Sequence, residues 1–246
     1  MSSSASSSSQ GPLPGKISLI IPAHNEELNI GSLVTQSCEV LPQIASSFEI
    51  IIVDDGSTDR TTEVATHHMD PHAPGQLRII RHREKMGYGI TVGDGLRAST
   101  GDLIAFIDGD GQFDVHDLRH LAEHLGEADF VTGRRANRAD NWKRKLTSGV
   151  FNILVKLLYR IHYDDVDCAL KLMRRNFLDD ALPLVSRSAL LNTELYIKAR
   201  RTHHRVVQVT IPHYPRTAGV HSGGRLIPIL RAIRELIMLR WKMRLQ

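Results

Sequence analysis

The chain has 246 residues, enough for one substantial core and one α/β domain with a C-terminal extension. With 41% hydrophobic and 24% charged residues it reads as an ordinary globular protein, and no run of about 18 apolar residues is present to cross a membrane. A net charge of +4 and a pI near 9.2 call for an anionic partner, while 5% aromatic residues and no RNA-binding motif exclude nucleic acid and leave nucleotide or phospholipid.

Residues 1–15 are Ser-rich and uncharged and are expected to be a disordered tail. No apolar stretch follows a positive N-terminus, so no signal peptide is expected. Strand signals recur at Ile17–Ile21, Phe48–Val53, Leu77–Arg81, Leu103–Ile107 and Asp129–Thr132. Helical stretches of about 10–15 residues separate them, which predicts βαβ units and a mainly parallel sheet. Asn25 is the expected N-cap of the first helix, which runs to about Val40, and Ser57 or Asp59 that of the second. Further helices are predicted from Gly89 through Ala98 and over Asp114–Leu125, Lys143–Ile161 and Leu191–Arg201, with strands over Asp167–Arg174 and Val206–Ile211. The domain is thus read as residues 16–223, followed by an amphipathic C-terminal helix over 224–246. That helix carries six basic residues against Glu235, interleaved with apolar ones including Trp241, and is expected at a bilayer interface; packing on its own domain is the competing reading.

Parallel crossovers bring the strands' carboxyl ends to one rim, where ligands of open α/β sheets bind. The richest of these ends is Asp108-Gly109-Asp110-Gly111-Gln112-Phe113-Asp114. Two crowded carboxylates and a neutral amide oxygen suit Mg2+ or Mn2+ shared with phosphate oxygens, and glycines let the backbone approach a ligand. The seven residues alone fit a surface Asp/Gly turn equally well. Cys38 and Cys168 have no metal spacing and fit a reducing cytosol. His116, His120 and His124 share one helix face and read as a surface stripe before a zinc site. The sequence GYGITVGDG from Gly87 is not the dinucleotide fingerprint, which removes the main support for a dehydrogenase.

Taken in order, Pro22-Ala23-His24-Asn25-Glu26-Glu27, Val53-Asp54-Asp55-Gly56-Ser57, Gly87-Tyr88-Gly89 and Asp108-Gly109-Asp110-Gly111-Gln112 make the chain resemble family 2 glycosyltransferases of the GT-A fold. Gly133-Arg134-Arg135, Trp142-Lys143-Arg144-Lys145, Asp165–Arg175 and Arg216 with Gly219 and Ser222 are similar to one branch, the dolichyl- or polyprenyl-phosphate mannose or glucose synthases. Ala169-Leu170 replaces that branch's usual Gly-Phe, and the Gln-x-x-Arg-Trp motif of processive synthases is absent.

The resemblance implies a metal-dependent, inverting transfer of a hexose, mannose before glucose, from a GDP-mannose or UDP-glucose type donor to a polyprenyl phosphate. It implies Asp108, Asp110 and Gln112 at the metal. Pro22, Ala23, Asn25, Glu26, Asp54, Asp55, Gly87 and Asp108 would surround the nucleotide sugar, and Arg135, Arg144 and Arg216 the acceptor phosphate. Asp108, Asp110 and Arg135 are the expected catalytic group, and the expected location is the cytoplasmic face of a membrane. The alternatives are a hydroxyl acceptor, with Glu194 as candidate base, and a catalytically lapsed nucleotide- or lipid-binding subunit.

Overall fold

A computed structural model describes residues 12–136, 155–216 and 235–241, apart from 157 and 237. Seven strands form one sheet: β1 (Leu13–Ala23), β2 (Ala45–Asp54), β3 (Gly75–Arg81), β4 (Leu103–Phe106), β5 (Phe130–Arg135), β6 (Lys171–Arg174) and β7 (Val206–Ile211). Their order is β3-β2-β1-β4-β6-β5-β7. β6 is antiparallel to both neighbours and every other pairing is parallel. The carboxyl ends of six strands and the amino end of β6 therefore share one edge.

The described helices are α1 (Ile30–Ile44), α2 (Thr61–His67), α3 (Tyr88–Ala98), α4 (Asp117–Ala122), α5 (Arg175–Ala181) and α6 (Leu190–Arg201). They cover both faces of the sheet, which is why the central strands are apolar runs and not alternating ones. Leu19, Ile21, Ile50, Ile52 and Ala105 pack on the face of α1 and α4. Ile20, Ile51, Val53, Ile104 and Phe106 pack on the face of α3, α5 and α6.

Several boundaries differ from the sequence expectation. β1 begins at Leu13, paired with Ala45, inside the stretch expected to be a disordered tail; Ser46 Oγ bonds both the N–H and the carbonyl of Gly15 across a bulge. Residues 1–11 of that tail lie outside the described residues. α1 starts at Ile30, not near Asn25, because Asn25 takes a left-handed φ of 56° and residues 25–29 turn at the sheet edge. The strand expected from Asp167 is reduced to Lys171–Arg174, and α5 had no counterpart in the expected elements.

Of the expected helix over Lys143–Ile161, residues 155–156 and 158–161 are described; 155–156 and 158–159 are helical and 160–161 are not. The described part of the C-terminal helix buries Leu236 and Leu239 in the domain core. Tyr159 Oη donates to the Leu236 carbonyl and Ser188 Oγ to Glu235. Met238 and Trp241 remain exposed, Trp241 at 68%. Among the described residues, no helix is long and apolar enough to cross a membrane.

Candidate active site

A cavity of about 580 Å³ opens at the carboxyl edge of the sheet, lined by Pro22–Glu26, Asp55, Lys85, Tyr88, Thr91, Asp108–Asp110 and Arg216. Its floor is backbone. After β4 ends, the Ile107 N–H donates to the Ile20 carbonyl (3.1 Å) and the Gly109 N–H to the Pro22 carbonyl (3.2 Å). A Cβ on Gly109 would lie 2.7 Å from that Pro22 oxygen, so only glycine lets the two chain ends meet.

One wall joins the turns after β1 and β2. The Asn25 N–H donates to Ser57 Oγ (2.9 Å), and Asn25 Oδ1 accepts the Thr58 N–H (2.8 Å). Asn25 is thus a tie between turns and not the expected N-cap. Asp59 is not the N-cap of α2 either, since Arg60 holds that position without a side-chain cap bond; Asp59 Oδ1 instead accepts the N–H and hydroxyl of Thr61, the first residue of the helix.

The paired acids of the second turn divide their work. Asp54 is outside the lining; it is fully buried, accepts the Ser57 N–H (2.8 Å) and faces Arg81 at 3.2 Å. Asp55 lines the cavity and accepts the N–H groups of Met86 (2.7 Å) and Gly87 (3.0 Å), with His82 Nδ1 at 3.0 Å. Burial works to raise its pKa, but the bonds from His82, Met86 and Gly87 outweigh it and hold the carboxyl low. Gly87, at φ 100°, turns the chain into α3 and lies behind the lining.

Asp108 and Asp110 meet on the floor. Asp108 Oδ1 is closed off from solvent and has no hydrogen-bond partner, although part of the residue reaches the cavity. Burial and then the charge of Asp110 push the Asp108 carboxyl up to about 7; Tyr88, Lys171 and Arg135 oppose that rise only in part. Asp110 Oδ1 accepts the Gln112 N–H (3.1 Å), and its Oδ2 lies 3.9 Å from Arg216. An orphaned carboxylate oxygen beside a second carboxylate is a donor set that fits a hard divalent cation. Among the described residues no three acidic, His or Cys side chains gather as a ready metal cluster, so ligand phosphate oxygens and water would complete the shell.

Gln112, expected at the metal, is not part of the lining. Its side chain donates to the Tyr214 carbonyl (3.1 Å) while its own carbonyl accepts the Tyr214 N–H (3.0 Å). This clasp, with Phe113 edge-on to His213 at 5.2 Å, brings residues 212–216 over the cavity. Arg216 then reaches Glu26 Oε1 at 2.5 Å. Glu26, whose Oε2 accepts Asn29 Nδ2 at 2.7 Å, keeps a raised pKa because burial outweighs Asn29 and Arg216.

The remaining expected residues do not converge with these. Arg135 ends β5 at the same edge, 7% exposed, in a two-point pair with Asp165 at 2.8 and 2.5 Å. It is outside the cavity lining and acts on Asp108 through its charge. Arg144, Gly219 and Ser222 lie outside the described residues. Glu194 is fully buried and accepts the N–H groups of Val185 and Ser186, both at 2.8 Å, which makes it a loop anchor. His116, His120 and His124 each sit beside a local carboxylate, as a surface stripe does.

Sequence reasoning missed His24, Lys85, Tyr88 and Thr91. Tyr88 and Thr91 are three residues apart at the start of α3, a spacing that puts both on one face. His24 sat between two assigned residues; Lys85, on the rim, carried no signal of its own. Burial, followed by the charge of Asp108, raises the Tyr88 phenol well above its usual range.

The sequence profile of the family described as Glycosyl transferase family 2 matches residues 18–182. An undecaprenyl-phosphate 4-deoxy-4-formamido-L-arabinose transferase of Aeromonas hydrophila is 27% identical over 222 residues, 90% of this chain and 66% of the relative. One of Proteus mirabilis is 30% identical, over 83% of this chain and 61% of the relative. A dodecaprenyl-phosphate galacturonate synthase of Rhizobium johnstonii is 28% identical, over 93% and 68%. The chain therefore spans about two thirds of the length of these relatives. Glucosyl-3-phosphoglycerate synthase from Mycobacterium tuberculosis, solved with Mn2+, UDP-glucose and phosphoglyceric acid, shares the fold at a TM-score of 0.66 and 22% identity, covering 90% of this chain and 77% of that one. A family profile spanning most of the domain, over a sheet of this order, shows that the chain belongs to glycosyl transferase family 2.

Proposed function

We propose that the protein transfers a sugar from a nucleoside-diphosphate sugar to a polyprenyl phosphate at the membrane surface. The observation that carries this reading is the buried, partnerless Asp108 oxygen beside Asp110 on the floor of a nucleotide-sized cavity. Two carboxylates brought together at the cavity floor, one oxygen closed off from water, make a place for a cation, and keeping that pair argues against a lapsed site.

The residues divide by chemistry. Pro22–Glu26 and Asp55 shape the nucleoside end, with Lys85 on the rim for the diphosphate. Asp108 and Asp110 would hold Mg2+ or Mn2+, which when bound supplies positive charge for the departing diphosphate. An acceptor phosphate oxygen forms the bond to the anomeric carbon as the bond to the diphosphate breaks, with inversion. That oxygen is already anionic near neutral pH, so the acceptor needs cations around it and no base. Arg216 supplies a planar fork for phosphate at the cavity. Arg135 fixes the turn at Asp165 and lends its charge to Asp108, and Arg144 remains a phosphate candidate. A hydroxyl acceptor would need a base, and Glu194 is committed to two backbone N–H groups.

The relatives' names specify a formamido-arabinose and a galacturonate, so the donor class widens beyond mannose and glucose, and UDP stands beside GDP. Membrane contact through the exposed Trp241 and Met238 face of the C-terminal helix belongs to the same reading. The test is to incubate the purified protein and Mn2+ or Mg2+ with labelled nucleotide sugars, with and without undecaprenyl or dolichyl phosphate, and to count label in the lipid phase. Label released only to water, or carried only by glycans, would refute a lipid-phosphate acceptor.

A further inference from the structure

The stretch between β3 and α3 is fastened to the turn after β2 at both ends and in between. The His82 N–H donates to the Asp54 carbonyl (2.9 Å), and Arg81 reaches the Ser57 carbonyl at 3.1 Å. A Cβ on Gly56 would lie 2.8 Å from the Glu84 carbonyl carbon and 3.0 Å from the Lys85 nitrogen, so only glycine lets the two segments come this close. The N–H groups of Met86 (2.7 Å) and Gly87 (3.0 Å) then end on the Asp55 carboxylate.

One side chain braces that carboxylate. His82, 10% exposed at the side chain, has Asp55 Oδ1 at 3.0 Å from Nδ1 and Asp94 Oδ2 at 3.0 Å from Nε2. Both ring nitrogens thus face carboxylates, one at the end of β2 and one in the middle of α3. Arg97 pairs with Asp94 on its other oxygen and completes the row. An imidazole held between two carboxylates has no nitrogen left for a ligand, and His82 lies outside the cavity lining. What the brace presents is Lys85. That residue lines the cavity rim, is exposed, and its ammonium pairs with no described residue. A long side chain loses conformational freedom when it engages a ligand, and the loss is smaller when its backbone is already fixed.

We propose that His82, itself held by Asp94, is a positioning residue: through Asp55 it fixes the 83–87 loop and so aims Lys85 at the diphosphate of the donor. The inference rests on the proposed function, which puts the diphosphate beside Lys85. His82 and Asp94 touch no substrate and act only through the residue they aim.

The experiment measures binding of UDP and GDP by calorimetry in the full chain with Mn2+. It compares wild type, Lys85→Met, His82→Leu, His82→Asn, Asp94→Asn, and the double variants joining Lys85→Met to His82→Leu or to Asp94→Asn. Lys85→Met should weaken the better-bound nucleotide about tenfold, the worth of one hydrogen bond from a charged group. His82→Leu should weaken it about fivefold and Asp94→Asn about threefold, as residues coupled in one network do. In the Lys85→Met background each should cost less than about twofold, because the group they aim is gone. His82→Asn keeps a donor where Nδ1 stands and should stay within about twofold of wild type. Thermal unfolding of every variant accompanies the binding. A merely structural role would lower Tm and weaken nucleotide by the same factor in both backgrounds. Equal losses with and without Lys85, wild-type affinity in Lys85→Met, or wild-type affinity in folded His82→Leu and Asp94→Asn would overturn the assignment. If His82→Leu does not fold, Asp94→Asn and its double variant decide alone. Failure of wild type to bind UDP or GDP would instead overturn the proposed function beneath it.

Discussion

Replacing Glu49 with Gln should cost this fold about 3 kcal/mol at neutral pH and much less in acid. Glu49 sits on β2, 1% exposed at the side chain, at the end of the sheet opposite the cavity. It accepts from Ser18 Oγ (2.6 Å), Arg78 (2.9 Å) and the N–H and hydroxyl of Thr100 (2.9 and 2.8 Å), with Lys16 at 3.3 Å. Burial alone would raise its pKa; these donors outweigh burial and bring it from 4.5 to about 2. At roughly 1.4 kcal/mol per pH unit, that fall corresponds to about 3 kcal/mol of stabilisation of the folded carboxylate. A folded pKa below the unfolded one means stability that is fully present above about pH 4.5 and is lost as pH falls toward 2. Gln keeps the shape, loses the charge and turns an N–H2 toward a ring of donors. Urea unfolding of both proteins from pH 7 to pH 3 measures the difference, which should shrink as the unfolded wild-type chain takes up a proton at this carboxyl. A difference below 1 kcal/mol at pH 7, or one that is constant across the range, would refute the reasoning.

Asp110→Ala should abolish transfer and Mn2+-dependent nucleotide binding while the circular dichroism spectrum stays unchanged, and EDTA should reproduce it; full activity in EDTA would refute a metal mechanism. Arg216→Ala should raise the KM for lipid phosphate about tenfold or more, and Arg216→Lys should recover only part of it because an ammonium has no fork; an unchanged KM would place the acceptor elsewhere. Glu194→Gln should lower stability by about 1–3 kcal/mol by disturbing two buried N–H groups, and should leave kcat of the folded protein within about twofold; a large loss of kcat with an unchanged Tm would revive a catalytic base. His204 has Asp180 and Asp129 at 2.8 and 3.0 Å, and although burial opposes it, those bonds raise its pKa. Its contribution is therefore complete below about pH 6.5 and fades as pH rises through the elevated folded value; thermal unfolding of His204→Gln against wild type should show the two curves converging at alkaline pH.

Much of the donor half could be read from the chain because its strands lie close in sequence and their ends carry polar turns. Pro22–Glu26, Asp55, Asp108 and Asp110 all reached the cavity from motifs that follow apolar runs. Asp54 did not, because neighbouring residues at a strand end point to opposite sides and Asp54 faces Ser57 and Arg81. The strand at β6 was legible but its direction was not: four residues between a long loop and a helix carry no period long enough to show that it runs antiparallel. Arg135 looked like a phosphate ligand because sequence shows a charge and not its partner, and Asp165 is 30 residues away. Gln112's engagement was hidden for the same reason, since its partner Tyr214 is 102 residues on.

The clasp between Gln112 and Tyr214 has a practical meaning for anyone dissecting this enzyme by mutation. Two hydrogen bonds tie the loop bearing Asp110 to the segment bearing Arg216, so the groups assigned to the leaving diphosphate and to the incoming phosphate share one mechanical linkage. If the proposed function holds, a lesion in residues 212–216 should travel through it and register as weakened cation affinity, and chelation should register as poor use of lipid. Apparent Michaelis constants for the two proposed substrates should then rise together whichever side is damaged. Only direct binding of each ligand, measured without turnover, separates the origin of such a defect from its echo.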